Sequence, residues 1–307
     1  MRFVLTGEQR DFASSLDKLL AASDTVSVAR AWADGNTEPG LKLWARLTEQ
    51  GVTALATDAT PVELCVAFEV LGRYAVPGPW VESAAYLPVL LGRELDGVAT
   101  VAAAPHVPLA LDADVAGTVL TVDGGEVRTG ITGDRRASVD PVRGLFEVAP
   151  GDPVDAPGSV DAAFDLAVLA TAAQLLGLGE HLLDASVAYV KQRRQFGREI
   201  GSYQVIKHAL ADVRIALDFA RPLLYGAAVV STGSTGDTAG TLSRDVSAAK
   251  VACGEAAYRA ARTGLQVHGA IGYTRELDLS LWILKTRALV SAWGTPAFHR
   301  ACVLEAL

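Results

Sequence analysis

Two short segments carry polar and glycine residues that the packing of a helical protein does not require. The first is Arg193-Arg194-Gln195-Phe196-Gly197, followed by Ser202-Tyr203-Gln204. The second runs Gln266-Val267-His268-Gly269-Ala270-Ile271-Gly272-Tyr273-Thr274. Small residues with free N–H groups, close to a fixed arginine, are what a pyrophosphate needs from a protein. Glutamines beside them can hydrogen-bond a ribose or an adenine without adding charge. The same residues also fit a plainer role, as turns in which glycine ends a helix and arginine caps its carbonyl end. Residue type alone leaves both readings open.

Both segments fall at predicted helix-to-helix junctions. Apolar periodicity predicts helices from about Asp161 to Arg193, Ser202 to Ser231 and Leu242 to Val267, then Glu276–Trp293 and Pro296–Ala306. Alanine-rich surfaces with leucine and valine at helical spacing suit a closely packed antiparallel bundle. Ser231–Gly240 reads as a polar loop. The first third also reads as helices. Thr6-Gly7-Glu8-Gln9 and Thr60-Pro61-Val62-Glu63 are capping-box patterns, and Leu43, Trp44 and Leu47 mark a helix that stops at Gly51. Between these halves the period changes. Val98–Val101, Val119–Val122 and Leu145–Val148 are short β-branched runs between Gly, Asp and Pro clusters, so strands joined by turns are expected there. Ala149-Pro150-Gly151-Asp152-Pro153 through Gly158 reads as a linker. The expected fold class is mainly α with a small β module: a helical domain over residues 1–95, a β domain over 96–158 and a helical bundle over 159–307.

Composition narrows the function. The chain has 307 residues, half of them apolar, and a net charge of −8 with no basic run, which argues against a nucleic-acid partner. Cys65, Cys253 and Cys302 fit neither a disulfide framework nor a zinc site and read as small core residues. The five histidines, His106, His181, His208, His268 and His299, lack ligand spacing, so no metal is expected. Arg2, Glu8 and Arg10 interrupt any signal-peptide core, and no uncharged apolar run is long enough for a membrane span. A cytoplasmic protein is the expectation.

Tyr189-Val190-Lys191-Gln192-Arg193-Arg194-Gln195-Phe196-Gly197, with Ile200-Gly201-Ser202-Tyr203-Gln204, resembles the Arg-x-x-Phe-Gly stretch of the acyl-CoA dehydrogenase family and the glutamine that follows it. Gln266 through Thr274 resembles that family's Gln-x-x-Gly-Gly-x-Gly-Tyr/Phe segment. Leu5-Thr6-Gly7-Glu8-Gln9-Arg10, Trp44 to Gly51 and Leu71 to Pro79 are similar to its N-terminal helices. The resemblance implies a fold of N-terminal helical domain, reduced middle β domain and C-terminal four-helix bundle. It implies FAD as cofactor, shared between two chains. Arg193 would face the pyrophosphate. Gln195, Phe196 and Gln204 would line the adenosine side, and Gln266 and Gly269 the phosphate and ribityl side. Ala270 stands where the family usually has a second glycine, and its methyl could narrow the backbone's approach to the phosphates.

The rest of that family's machinery has no counterpart here. No Thr-Glu-Pro-type loop or Trp-Ile-Thr-type strand lies between Val98 and Gly158, so the β module should not hold a flavin ring of its own. The family's reaction removes an α-proton from an acyl thioester while a β-hydride leaves to the flavin, and it needs a carboxylate as base. The two positions the resemblance offers for that base hold Trp293 and Ala167. Asp165 is two residues from Ala167, which turns it about 200° around the helix. The expected protein is thus a β-type subunit with no catalytic residue of its own. Its partner would be a full-length acyl-CoA dehydrogenase chain that carries the glutamate and binds most of the acyl-CoA. An α2β2 heterotetramer acting on a bulky thioester, such as a steroid side-chain CoA, is implied. The alternatives are a self-sufficient homodimeric flavoenzyme with an unrecognised base, and a scaffold or regulatory pseudoenzyme without flavin. Trp80, Tyr86 and Trp282 are expected in the core or an interface.

Overall fold

Thr6 opens the first helix by a reciprocal bond. Its hydroxyl accepts from the Gln9 amide at 3.2 Å, and the Gln9 side chain accepts from the Thr6 amide at 2.9 Å. Two of the four donors that a helix start leaves open are satisfied this way. In the computed structural model, which describes residues 4–232 and 239–307, this is α1 (Gly7–Ala21). It is followed by α2 (Thr25–Ala33), α3 (Glu38–Glu49), the short α4 (Leu55–Asp58) and α5 (Pro61–Arg73). Thr60 and Glu63 form a second capping box at α5. A π-helical turn at Glu82–Tyr86 and α6 (Leu87–Leu91) complete the first segment.

Five strands follow: β1 (Ala99–Ala103), β2 (Ala110–Leu111), β3 (Thr118–Asp123), β4 (Glu126–Arg136) and β5 (Leu145–Pro153). They form one sheet in the order β1-β3-β4-β5-β2, with β1 parallel to β3 and the other pairs antiparallel. Strand β4 was not expected. Most of it faces solvent, so no apolar alternation marks it. Residues 149–153, expected as linker, instead continue β5 against β4 through two register shifts. Strand β2 pairs only with Leu145 and Phe146, so Pro150 and Pro153 lie on an open edge where a missing donor costs nothing.

The last half is α7 (Val160–Gln192), a hairpin of β6 (Arg194–Gln195) and β7 (Arg198–Glu199), α8 (Gln204–Val230), α9 (Ala239–His268), α10 (Leu279–Leu289) and α11 (Pro296–Glu305). Most of the expected loop at Ser231–Gly240 lies outside the described residues. Helix α10 starts three residues later than expected. Arg30 reaches across to the Arg275 carbonyl and the Asp278 carboxylate, which ties the preceding residues into turns. Helix α7 is long and apolar enough to cross a membrane, yet it is the central core helix, buried by α5, α8 and α9. One continuous apolar core joins all three segments, from Leu16 to Trp293. Trp80, Tyr86 and Trp282 belong to it, as do Cys65 and Cys253. Cys302 is only half-buried.

Helices α5 and α7 cross with their backbones touching. A methyl at Gly177 would run into the Glu69 carbonyl oxygen, and one at Gly72 into the Gln174 carbonyl. Neither obstacle is a flexible side chain, so the helices must separate to admit it. Gly177→Ala should therefore destabilise the chain by about 3 kcal/mol, the upper end of ordinary overpacking. A urea unfolding midpoint within error of the parent would contradict the close approach.

Candidate functional site

Helix α7 ends at Gln192, where Arg193 turns the chain with its amide still bonded to the Tyr189 carbonyl at 2.9 Å. A six-residue hairpin, Arg194 to Glu199, follows, in which Phe196 and Gly197 take positive φ values of 53° and 80°. The Ile200 amide then closes back on the Arg193 carbonyl at 2.8 Å. Glycine tolerates such a turn, but phenylalanine does so at a steric cost. Phe196 repays none of it by burial, since it is 90% exposed.

The second segment closes α9. Gly269 takes φ +64° and opens a 3-10 turn over Gly269–Tyr273. No atom lies within 4 Å of where its Cβ would be. His268, the last residue of α9, is buried and caps the helix end, with Nδ1 2.8 Å from the Gly264 carbonyl oxygen. Its ring stacks on Tyr189 at 4.0 Å. That stack joins the two segments, because Tyr189 lies one turn before Arg193 and His268 directly before Gly269. The fold thus brings Arg193, Gln195, Phe196, Gln204, Gln266, Gly269 and Ala270 to one end of the bundle, all of them exposed.

That end is also strongly cationic, which was missed in the sequence. Residues 191–208 hold Lys191, Arg193, Arg194, Arg198 and Lys207 against the single acid Glu199, in a chain of net charge −8. A local charge count over this window would have found it. Among the described residues, none of the five cations makes a salt bridge within 4 Å. Arg194 donates only to the Gly197 carbonyl, and Arg198 lies over the Tyr203 ring at 3.9 Å. Helix α8 starts at the same place, and no side chain caps it at Tyr203. A positive helix end and guanidinium groups outside any salt bridge are suited to holding an anion.

At the two positions where a base was sought, Ala167 is fully buried and Trp293 is 2% exposed. Trp293 has a φ of 55°, and its ring lies 4.8 Å from that of Tyr86. Its carbonyl sits 2.9 Å from His299 Nε2. The indole fills its space as core. Trp293→Ala should cost about 3–5 kcal/mol, the usual range for emptying a large aromatic site; a change under about 1 kcal/mol in chemical denaturation would show that the indole is dispensable. Two acids lie nearby that spacing did not single out as a site. Glu82 is buried beside the Trp293 side chain, and burial pushes its carboxyl above the usual range. Asp165 does turn away from Ala167 and lines a cavity between the sheet and the bundle.

Residues 159–307 match the model for the acyl-CoA dehydrogenase C-terminal domain. The acyl-CoA dehydrogenase IpdE2 of Mycobacterium tuberculosis is 29% identical over 94% of this chain and 92% of its own length. The C-terminal half of the chain is an acyl-CoA dehydrogenase C-terminal domain, and nearly the whole chain is similar to acyl-CoA dehydrogenases. The chain is also 27% identical to YngJ, a probable acyl-CoA dehydrogenase of Bacillus subtilis, over 76% of this chain but only 61% of that protein. Two solved structures share the fold. A chain of the Tcur3481-Tcur3483 steroid ACAD superposes with a TM-score of 0.84 at 19% identity, covering 97% of each chain. A chain of the ChsE4-ChsE5 complex of M. tuberculosis gives 0.82 at 22% identity, covering 99% of this chain and 98% of the other.

Proposed function

We propose that this chain is the non-catalytic, β-type subunit of a heteromeric acyl-CoA dehydrogenase, and that its cationic bundle end holds the pyrophosphate and adenosine half of an FAD seated in a partner chain. One observation carries the proposal. Five cations of residues 191–207, none in a salt bridge among the described residues, stand at the same exposed bundle end as two glycine turns. The residues present fit that half of the flavin. Arg193 meets the phosphates, and Gly269 keeps the backbone of the second turn open to them. Gln195, Gln204 and Gln266 offer hydrogen bonds to the sugars and the adenine, and exposed Phe196 offers a ring face. Gly269 leaves its turn open, so the Ala270 methyl is the only added bulk there. When bound, flavin supplies the acceptor for the hydride that leaves the acyl chain.

Trp293 and Ala167 leave this chain without a base at the expected positions, so the reading assigns proton removal to a glutamate of the partner. Two of the fold neighbours are named as two-component assemblies, one of them a steroid ACAD. Those names favour a two-component partnership, and the reading takes it as a cytoplasmic α2β2 assembly acting on a bulky acyl-CoA such as a steroid side-chain thioester. Purifying the chain alone and with a longer family member tests the proposal. Colourless protein alone, and one FAD per heterodimer together, is the expected result. Stoichiometric flavin on the lone chain would refute it.

One observation favours a self-sufficient enzyme instead: Asp165 faces a cavity with its carboxyl raised by burial to about 6, a range suited to a general base. Among the described residues, no lysine or arginine lines the cavity to hold an acyl-CoA's phosphates, which weighs against that alternative.

A further inference from the structure

A cavity of about 640 Å³ opens between the end of β1, the first turns of α7, the start of α9 and α11. Asp165 lies 28 residues before Arg193 on α7, so roughly 40 Å of helix separates this cavity from the cationic end. Its volume falls in the range that small-molecule sites occupy, about 300–1,000 Å³.

Three rings form its wall. His106 lies 4.2 Å from Phe298 and 4.9 Å from Phe164, and the two phenylalanines are 6.1 Å apart. Buried Tyr86 adds a fourth ring, with Ala103 and Val122 beside it. Such a wall favours a flat or fused-ring apolar body.

The polar groups of the cavity are mostly acceptors. Asp161 and Asp165 both line it, and among the described residues no lysine or arginine does. His106 supplies no cation near neutral pH, because burial lowers its pKa. Asp165 is half-buried. Burial raises its pKa to about 6, a hydrogen bond from Ser243 opposes the rise, and the Asp161 charge adds to it. It is therefore mainly ionised at pH 7 and holds lone pairs toward the cavity. An anionic ligand, including a nucleotide or a CoA ester, would meet repulsion from both carboxylates that the single helix start of α7, already capped by Ser159, offsets only in part. A ligand that donates a hydrogen bond would find an acceptor in a partly dry site.

We propose that this cavity binds an uncharged, fused-ring apolar alcohol whose hydroxyl donates to the Asp165 carboxylate while its rings pack among Phe164, Phe298 and His106. Binding there does not depend on flavin sharing at the opposite end of the bundle.

Calorimetric titration of the full chain at pH 7 with 2-naphthol, its methyl ether and 2-naphthoate tests this. The alcohol should bind. The ether, which cannot donate, should bind at least about tenfold more weakly, because a hydrogen bond to a charged acceptor contributes about 1.5–3 kcal/mol. The naphthoate should show no binding. Asp165→Ala should lower the alcohol's affinity to that of the ether and leave the ether unchanged. Phe298→Ala should weaken both. Should the alanine variant fail to fold, Asp165→Asn, which keeps a neutral acceptor, should retain part of the alcohol's preference. Equal affinity for alcohol and ether, measurable binding of the naphthoate, or no binding of the alcohol would each overturn the proposal.

Discussion

Replacing Arg193 by alanine is expected to strip flavin from the co-purified complex while leaving this chain folded and assembled. Arg193 stands beyond the last turn of α7 and is exposed, so its loss removes no core contact. A guanidinium that pairs with a phosphate in an interface contributes about 2–3 kcal/mol, which corresponds to roughly a 30- to 150-fold loss of affinity. The ratio of flavin to protein absorbance after dialysis reads this directly. The loss should grow with salt, because the remaining cations act through screened charge. Lys42→Ala provides the contrast. Lys42 and Glu38 form an exposed i,i+4 pair far along the sequence from the site, and its removal should change neither flavin content nor assembly. A complex of Arg193→Ala that keeps full flavin through dialysis would remove the arginine from the site. If Arg194→Ala and Arg198→Ala also kept it, the bundle end would have no role in flavin binding.

Glu180→Ala should be among the most destabilising single changes in the molecule. Glu180 is 7% exposed on α7 and accepts from both terminal nitrogens of Arg214 at 2.7 Å and from Arg221 at 2.8 Å. Arg221 continues to Glu69 at 2.6 Å, and Tyr225 donates to the same Glu69 at 2.8 Å. Five side chains on α5, α7 and α8 thus satisfy one another. Deleting the acid at the centre leaves Arg214 with only the exposed Asp218 and Arg221 with only Glu69, at a cost of about 3–5 kcal/mol. Burial alone would raise the Glu180 pKa, but the hydrogen bonds and charges of Arg214 and Arg221 outweigh it and hold it below the usual range. The sign of the pH dependence follows. An acid with a depressed folded pKa stabilises the fold at pH values above its unfolded pKa, near 4.5. That contribution disappears as pH falls through the folded value. Denaturant unfolding between pH 7 and pH 3 should show the parent losing its advantage over Glu180→Ala. A constant difference across that range would mean that the charge network is not the source of the stability.

The helices were legible in the sequence because their signals are local. Thr6 with Gln9 and Thr60 with Glu63 close capping boxes over three residues, and α7 shows its full apolar run in order. Strand β4 was not legible. A strand with one partner on each side and little burial carries no apolar alternation, and only pairing with β3 and β5 defines it. Pro150 and Pro153 misled for a related reason, since whether a missing donor matters depends on whether another strand lies alongside.

The candidate site divides in the same way. By itself the sequence determined that Arg193 to Gln204 and Gln266 to Thr274 interrupt the bundle at helix junctions, because glycine and polar residues there break an apolar period. It also determined that Trp293 and Ala167, not acids, occupy the two positions considered for a base. Only the tertiary structure decided that Tyr189 and His268, 79 positions apart, stack and bring those junctions to one end. Only there does it become visible that the cations of that end lack salt-bridge partners while Arg214 and Arg221 are paired with buried acids. A charge is free or satisfied according to what folds against it. Those neighbours come from other helices, at distances along the chain that no local pattern records.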